Sequence, residues 1–316
     1  MFRLGIVGAG AIGISHKNAI LKNPDCEITA ICDLAEEKAL QLAEGTDART
    51  YTDYRVMAEV ETLDGVILNL PHFLHKDVTI FFLEKGIPVL IEKPMANTVE
   101  ECDAMIAASQ KTGTPLAVGH VQRYYPCYHV LKEMIEKETL GKLCSITEVR
   151  NISYFENRPR WFLTKAQAGG GILMNYGAHT LDKIFYVTGK PITKLYAAGN
   201  NFLTGDDVEA SAQLLFTLEG GVSASCTYCG CKVPMFYETN FYFTNGMAQV
   251  RGGQELWLSE GNQPLRKVDI DDGGKNIFDC QLIELVKFLK GEESHIATPA
   301  YSKEVIVALE QAFSQI

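Results

Sequence analysis

Met1 to Gly13 reads MFRLGIVGAGAIG, and this stretch decides the fold. The apolar run Leu4 to Val7 leads directly into Gly8, Gly10 and Gly13, the G-x-G-x-x-G spacing, and Ile12 to Leu21 behind it continues as a helix. Strand, tight turn and helix start, in that order, open a doubly wound parallel sheet. Helix N-terminal amides can hold a pyrophosphate only if the backbone comes close to it. Gly8 makes the turn, Gly10 admits the phosphate and Gly13 lets helix and strand pack, with Ala11 and Ile12 expected in the same binding turn.

Working outward, Glu27 to Cys32 (EITAIC) is an apolar, β-branched run that ends at Asp33, twenty positions after Gly13. A carboxylate there accepts from the ribose 2′ and 3′ hydroxyls and repels a 2′-phosphate. No Arg or Ser follows in Leu34-Ala35-Glu36, so the expected cofactor is NAD rather than NADP. Gly65 to Leu70 (GVILNL) is a nearly uninterrupted apolar run, as a strand buried on both faces requires, and His72 and His75 lie just past its end at Pro71. Pro88 to Ile91 is the next strand and delivers Glu92-Lys93-Pro94. A Lys at a strand's carboxyl end, restricted by the Pro after it, is held in one geometry. Pro115 to Val118 is a further strand, beyond which the βαβ alternation stops. The expected division is a dinucleotide-binding domain over 1–120 and a second domain over 121–316.

In the second part, Pro126 to Lys137 reads as a helix, Cys144 to Asn151 as a strand, and Tyr154 to Leu163 (YFENRPRWFL) as a polar and aromatic loop. Gly169-Gly170-Gly171 precedes a helix over Ile172 to Val187, on which Asn175, His179 and Asp182 share one face, solvated or part of a site. From Pro191 the pattern changes to strands with Gly-rich turns, read as one mostly antiparallel sheet, and Ile277 to Leu289 and Ser302 to Phe313 close the chain as helices.

The whole chain sets limits on partners. It has 316 residues with a net charge of −10 and no sustained basic block, so neither nucleic acid nor an anionic membrane is an expected partner. No apolar stretch has the length of a membrane span, and strand one begins at the N-terminus, so a cytoplasmic location is expected. Nine cysteines scattered through apolar segments read as reduced thiols. Cys226, Cys229 and Cys231 lack a second C-x-x-C or paired histidines to complete a metal set, and Val222 to Tyr228 alternates as a strand, so no metal is expected.

Taken together, several features resemble the Gfo/Idh/MocA family of oxidoreductases (glucose-fructose oxidoreductase, inositol dehydrogenase, rhizopine catabolism). They are the glycine fingerprint, Asn69-Leu70-Pro71 with His75, Glu92-Lys93-Pro94, the Gly119 to Pro126 segment, and Gly169-Gly170-Gly171 followed by Asn175 and His179. The match runs from residue 4 to about 315 in the family's order. The resemblance implies a Rossmann domain and an α/β domain whose open-faced sheet binds substrate or a second subunit. The implied activity is NAD(P)-dependent oxidation or reduction of a sugar, polyol or related hydroxy compound. It makes His179 the acid/base, Lys93 the hydrogen-bonding cation, and Asn175 the orienting residue where many members carry Asp. It places Asn69, Leu70, Pro71, His75, Glu92, Lys93 and Arg123 at the cofactor, Leu70 standing where Thr is frequent. Tyr154, Trp161 and Tyr176 join Lys93, Asn175 and His179 as expected substrate contacts.

Specificity is expected in the loops Tyr154 to Leu163 and Lys232 to Glu238, and an open sheet calls for a homodimer or homotetramer. Two other readings stay open. One is a member that retains NAD and cleaves a glycosidic bond or epimerises a centre through transient oxidation. The other is a catalytically silent dinucleotide-binding sensor, which would need neither Lys93 nor His179.

Overall fold

The structure is a computed structural model that describes residues 1–156, 158–202, 207–271 and 273–316. The chain forms two compact units, residues 1–121 with 275–303 and residues 122–274 with 304–316. The expected second domain was one continuous piece over 121–316, so residues 275–303 are placed differently here. The apolar stripe of Ile277 to Leu289 predicts that this helix needs a partner but does not name one.

In the first unit, six strands pair in parallel in the order β3-β2-β1-β4-β5-β6. They are β1 (Phe2–Val7), β2 (Cys26–Cys32), β3 (Arg49–Tyr51), β4 (Gly65–Leu68), β5 (Val89–Glu92) and β6 (Leu116–Gly119). Helices α1 (Ala11–Lys22), α2 (Glu36–Ala43), α3 (Tyr54–Val60), α4 (His75–Glu84) and α5 (Val99–Thr112) connect them. All four residues of β4 are buried, as the run GVIL predicts for a central parallel strand. Local signals set the helix ends. Thr98 Oγ1 accepts from the Glu101 amide at the start of α5, and Gly113 ends it in the left-handed conformation. Leu4, Ile6, Ile31, Ile67 and Leu90 form the core together with Leu282, Leu285 and Val286 of the late helix Ile277–Leu289.

The second unit holds an eight-stranded sheet. Its helices and strands begin with α6 (Pro126–Glu136), β7 (Leu143–Asn151), α7 (Lys165–Ala168) and α8 (Ala178–Thr188). The remaining strands are β8 (Ile192–Asn200), β9 (Ser211–Leu218), β10 (Ser223–Cys229), β11 (Phe236–Phe243), β12 (Gly246–Arg251), β13 (Glu255–Glu260) and β14 (Arg266–Lys267). Ile277–Leu289 is α9, and α10 is Pro299–Phe313. The order β14-β13-β12-β11-β7-β10-β9-β8 is antiparallel throughout except between β7 and β10.

Strict alternation in β9 (SAQLLFTL) buries Ala212, Leu214, Phe216 and Leu218 on one face. By register, that face continues through Ala224, Cys226 and Tyr228 of β10 and Ile146, Glu148 and Arg150 of β7. The opposite face leaves Tyr196, Leu215 and Phe236 exposed. All nine cysteines are free thiols, and among the described residues no group of three or more His, Cys, Asp or Glu is placed to hold a metal ion. No described helix is long and apolar enough to cross a membrane.

Candidate active site

In the first unit the glycine loop is fixed by backbone contacts. Gly8 has φ +97°, and a Cβ there would lie 2.3 Å from the Asn69 carbonyl oxygen. A Cβ on Gly13 would lie 2.5 Å from the Gly8 oxygen, so β1, the turn and α1 approach as closely as backbone allows. At Gly10 a Cβ would meet nothing within 4 Å, and this residue begins α1 with no side chain bonded to the helix amides. Open space therefore faces the positive end of α1. Ala11 and Ile12 are exposed beside it.

Asp33 stands at the end of β2, its Oδ2 accepting from the Ala9 amide at 2.8 Å and its Oδ1 from Ala35 at 2.9 Å. Across the loop, Asn69 Nδ2 is 3.5 Å from the Gly8 oxygen, while Asn69 Oδ1 is buried without a hydrogen-bond partner. A helix start without a side-chain cap, open space at Gly10 and the orphaned Asn69 amide oxygen next to Gly8 fit the phosphates and ribose of a dinucleotide. Leu70 and Pro71, partly exposed, follow at the end of β4.

Two residues expected at the cofactor serve the strand ends instead. His75 is fully buried; Nε2 faces the Leu70 oxygen at 2.9 Å and Nδ1 the oxygens of Pro94 and Met95 at 2.9 and 3.3 Å. Both nitrogens face carbonyl oxygens, and the enclosed ring, which as neutral imidazole donates from one of them, fills the space between the loop after β4 and the loop after β5. Burial lowers its pKa. Glu92 is likewise buried, with Oε1 2.9 Å from His16 Nε2 and Oε2 accepting from the Lys93 amide at 3.2 Å. Its carboxylate positions Lys93, which is partly exposed and followed by a cis peptide bond to Pro94.

In the second unit the expected helix over Ile172 to Val187 is composite. Leu173–Gly177 is a π-helical turn, and α8 continues from it. Such turns recur at functional sites because they re-aim side chains. Asn175 lies within this turn and His179 in the first turn of α8, both buried. The start is anchored by Glu209, whose carboxylate accepts from the Gly171 and Leu173 amides at 2.8 to 2.9 Å, and burial raises its pKa. A Cβ on Gly171 would lie 2.2 Å from the Glu209 oxygen, which explains the glycine there.

Other expected contacts fare differently. Tyr154 is fully buried, burial pushes its hydroxyl up to about 12, and its ring packs edge-on against Phe155 and Tyr176 with centres 5.2 and 5.8 Å apart, so it belongs to the packing around Tyr176 rather than to a surface that meets substrate. Arg123, expected at the cofactor, is a core residue of the second unit, ion-paired to the fully buried Asp182 with its guanidinium 5.1 Å from the Tyr186 ring centre. Asp182, expected on one face with Asn175 and His179, is thereby committed to that pair. Trp161 is partly exposed and stacked on Phe162 at 3.8 Å. Tyr176 is partly exposed, with its ring centre 6.5 Å from that of His179. Asn157 of the same loop lies outside the described residues.

Sequence reasoning did not find Glu148, Lys183 and Arg150. Glu148 is buried, accepts from Thr180 Oγ1 and, at 2.8 Å, from Thr239 Oγ1, and lies 3.6 Å from buried Lys183. The available signal was the alternation of β7, which puts Glu148 and Arg150 at inward positions beside Ile146.

A parallel-sheet unit with this glycine loop, joined in one chain to a mixed-sheet unit carrying a buried histidine on its helix, defines a dinucleotide-dependent oxidoreductase. Residues 2–120 match an oxidoreductase family described by its NAD-binding Rossmann fold, and residues 128–249 match the GFO/IDH/MocA C-terminal domain. The chain belongs to the Gfo/Idh/MocA family. It is 29% identical over 316 residues to the rhizopine catabolism protein MocA of Rhizobium meliloti, covering 98% of this chain and 94% of that protein. It is 32% identical over 196 residues to the D-glucoside 3-dehydrogenase of Escherichia coli K12, covering 61% of this chain and 55% of that one. The WlbA dehydrogenase of Bordetella pertussis, solved with NADH and UDP-GlcNAcA, shares the fold with a TM-score of 0.88 at 21% identity, over 99% of this chain and 96% of that one.

Proposed function

We propose that this protein is an NAD-dependent dehydrogenase of a secondary alcohol on a sugar or related polyol. The observation that carries the reading is the open cradle at Gly10, bordered by Asp33 at the end of β2. The Asp33 carboxylate suits a ribose diol and opposes a 2′-phosphate, which favours NAD. The D-glucoside 3-dehydrogenase activity of one relative and the NADH bound to WlbA support sugar and cofactor.

Bound nicotinamide would supply the hydride acceptor. Lys93, held through its amide by Glu92, offers a cation to the developing alkoxide, and His179 accepts the hydroxyl proton. Asn175 positions His179 without adding charge. Tyr196, Leu215 and Phe236 on the open sheet face favour a homodimer or homotetramer covering that face, and we place the enzyme in the cytoplasm.

The test is NADH absorbance with NAD and then NADP across inositols, aldoses, deoxysugars and sugar acids. Wild-type turnover with NAD should fall about 10²- to 10⁴-fold in kcat for Lys93→Met and for His179→Ala. Asp33→Ala should narrow the NAD over NADP preference. Tight NADH binding with no turnover across the panel would sink the net dehydrogenase and leave the retained-NAD and sensor readings.

A further inference from the structure

Two arginines converge on Tyr176 with no carboxylate to match them. The Arg150 guanidinium lies between two aromatic rings, 3.9 Å from the Tyr176 centre and 4.3 Å from the Tyr237 centre. Its Nη1 is buried without a hydrogen-bond partner. Arg158 donates from Nη2 to the Tyr176 hydroxyl at 3.1 Å and from Nε to the Tyr154 oxygen at 2.9 Å, its guanidinium 4.5 Å from the Tyr154 ring centre. Neither arginine has an ion-pair partner among the described residues.

The nearby acids are already committed. Glu148 is matched by Lys183, Asp182 by Arg123, and Glu209 spends both oxygens on the amides of Gly171 and Leu173. A cation with an orphaned donor in partly desolvated surroundings is costly unless an anion joins it. Stacking on tyrosine relieves part of that cost and fixes the planar fork for a bidentate oxyanion. Tyr176 also directly follows Asn175 and borders His179.

We propose that Arg150 and Arg158 form a subsite for an oxyanion carried by the substrate, a carboxylate or a phosphate ester. The alcohol oxidised next to His179 then belongs to a sugar acid or a sugar phosphate rather than to a neutral sugar. This rests on the dehydrogenase reading above for its chemistry, but not for its binding.

The experiment pairs each neutral aldose with its uronic acid and its phosphate ester. Wild-type kcat/KM should favour one anionic form over the neutral parent by about 10- to 100-fold, carried by KM, as charge-assisted hydrogen bonds supply. The form favoured names carboxylate or phosphate as the source. In Arg150→Gln and Arg158→Gln that ratio should collapse toward one, and Arg150→Lys should recover only part of it, because an ammonium cannot stack or fork. In parallel, malonate and inorganic phosphate are titrated against wild type and both Gln variants in thermal melts without sugar. A rise in wild-type Tm that both variants lose supports the subsite even if no sugar is turned over, in which case only the dehydrogenase reading falls. Equal turnover of neutral and anionic forms, an anionic preference unchanged in the variants, or an absent or unchanged anion shift in folded variants overturns the subsite.

Discussion

The glycine loop of the first unit and the Tyr176 corner of the second are built from opposite materials. The loop is backbone against backbone. Gly8 and Gly13 carry no side chain because the carbonyls of Asn69 and Gly8 occupy that space. The corner is side chain against side chain, with Arg150 from β7, Tyr237 from β11, Arg158 from the loop after β7 and Tyr176 from the π-helical turn. Around it charge is buried in matched pairs. A backbone-built site constrains residues at fixed spacing, whereas a side-chain-built site constrains residues far apart in the chain.

If the second unit does rest on matched buried charge, its largest response should come from breaking a pair. Arg123→Leu removes the ion-pair partner of the fully buried Asp182 carboxylate, and urea unfolding should show a loss of about 3–5 kcal/mol. The double variant Arg123→Met with Asp182→Leu should recover most of it, since both desolvated charges leave together. A single variant within about 1 kcal/mol of wild type would show that Asp182 finds another partner and that the contrast is overdrawn.

The loop should respond by position rather than by charge. Gly8→Ala places a methyl against the Asn69 carbonyl at a φ that side chains avoid, and a loss of about 2–3 kcal/mol is expected. Gly10→Ala meets no protein atom, so its unfolding free energy should stay within about 0.5 kcal/mol of wild type. Its affinity for NADH, followed by fluorescence titration, should nonetheless fall on the order of 10-fold if the methyl occupies the phosphate's approach. Unchanged NADH affinity would separate the open space from the cofactor.

The same contrast explains what could be read in advance. The places of Gly8, Gly10 and Gly13 in the turn and of Asp33 at the end of β2 were legible because a parallel βα unit sets their spacing, and the apolar run at β4 was legible because both faces are covered. The second sheet was legible in its alternation, though the parallel β7–β10 pair was not, since register across 70-odd residues leaves no local trace. Asp182 looked like a site residue because a polar group on an apolar helix calls for an explanation, and Arg123 because the resemblance placed it at the cofactor; a buried ion pair between them satisfies both as well as a ligand does. The loops Tyr154 to Leu163 and Lys232 to Glu238 were singled out, and they contribute Arg158 and Tyr237. Their meeting at Tyr176 depends on the sheet that brings them together. The placement of α9 with the first unit was hidden for the same reason, because an apolar stripe states that a helix is covered and not by what.

His75 is the place where the first unit's backbone scheme depends on one titrating side chain, and there the smallest effect should appear. In the unfolded chain its imidazole protonates near 6.5, whereas burial in the fold lowers its pKa. As pH falls below 6.5 the unfolded state takes up a proton that the folded state does not, so stability present above 6.5 is lost on acidification. The slope from this group is at most about 1.4 kcal/mol per pH unit, from 6.5 down toward the folded pKa. His75→Asn cannot take up that proton, so its stability difference from wild type should shrink as pH falls through this window in urea melts. A constant difference would mean that the folded ring also accepts the proton. The carbonyls of Leu70, Pro94 and Met95 would then stabilise an imidazolium, and side-chain charge would be working inside the backbone-built unit as well.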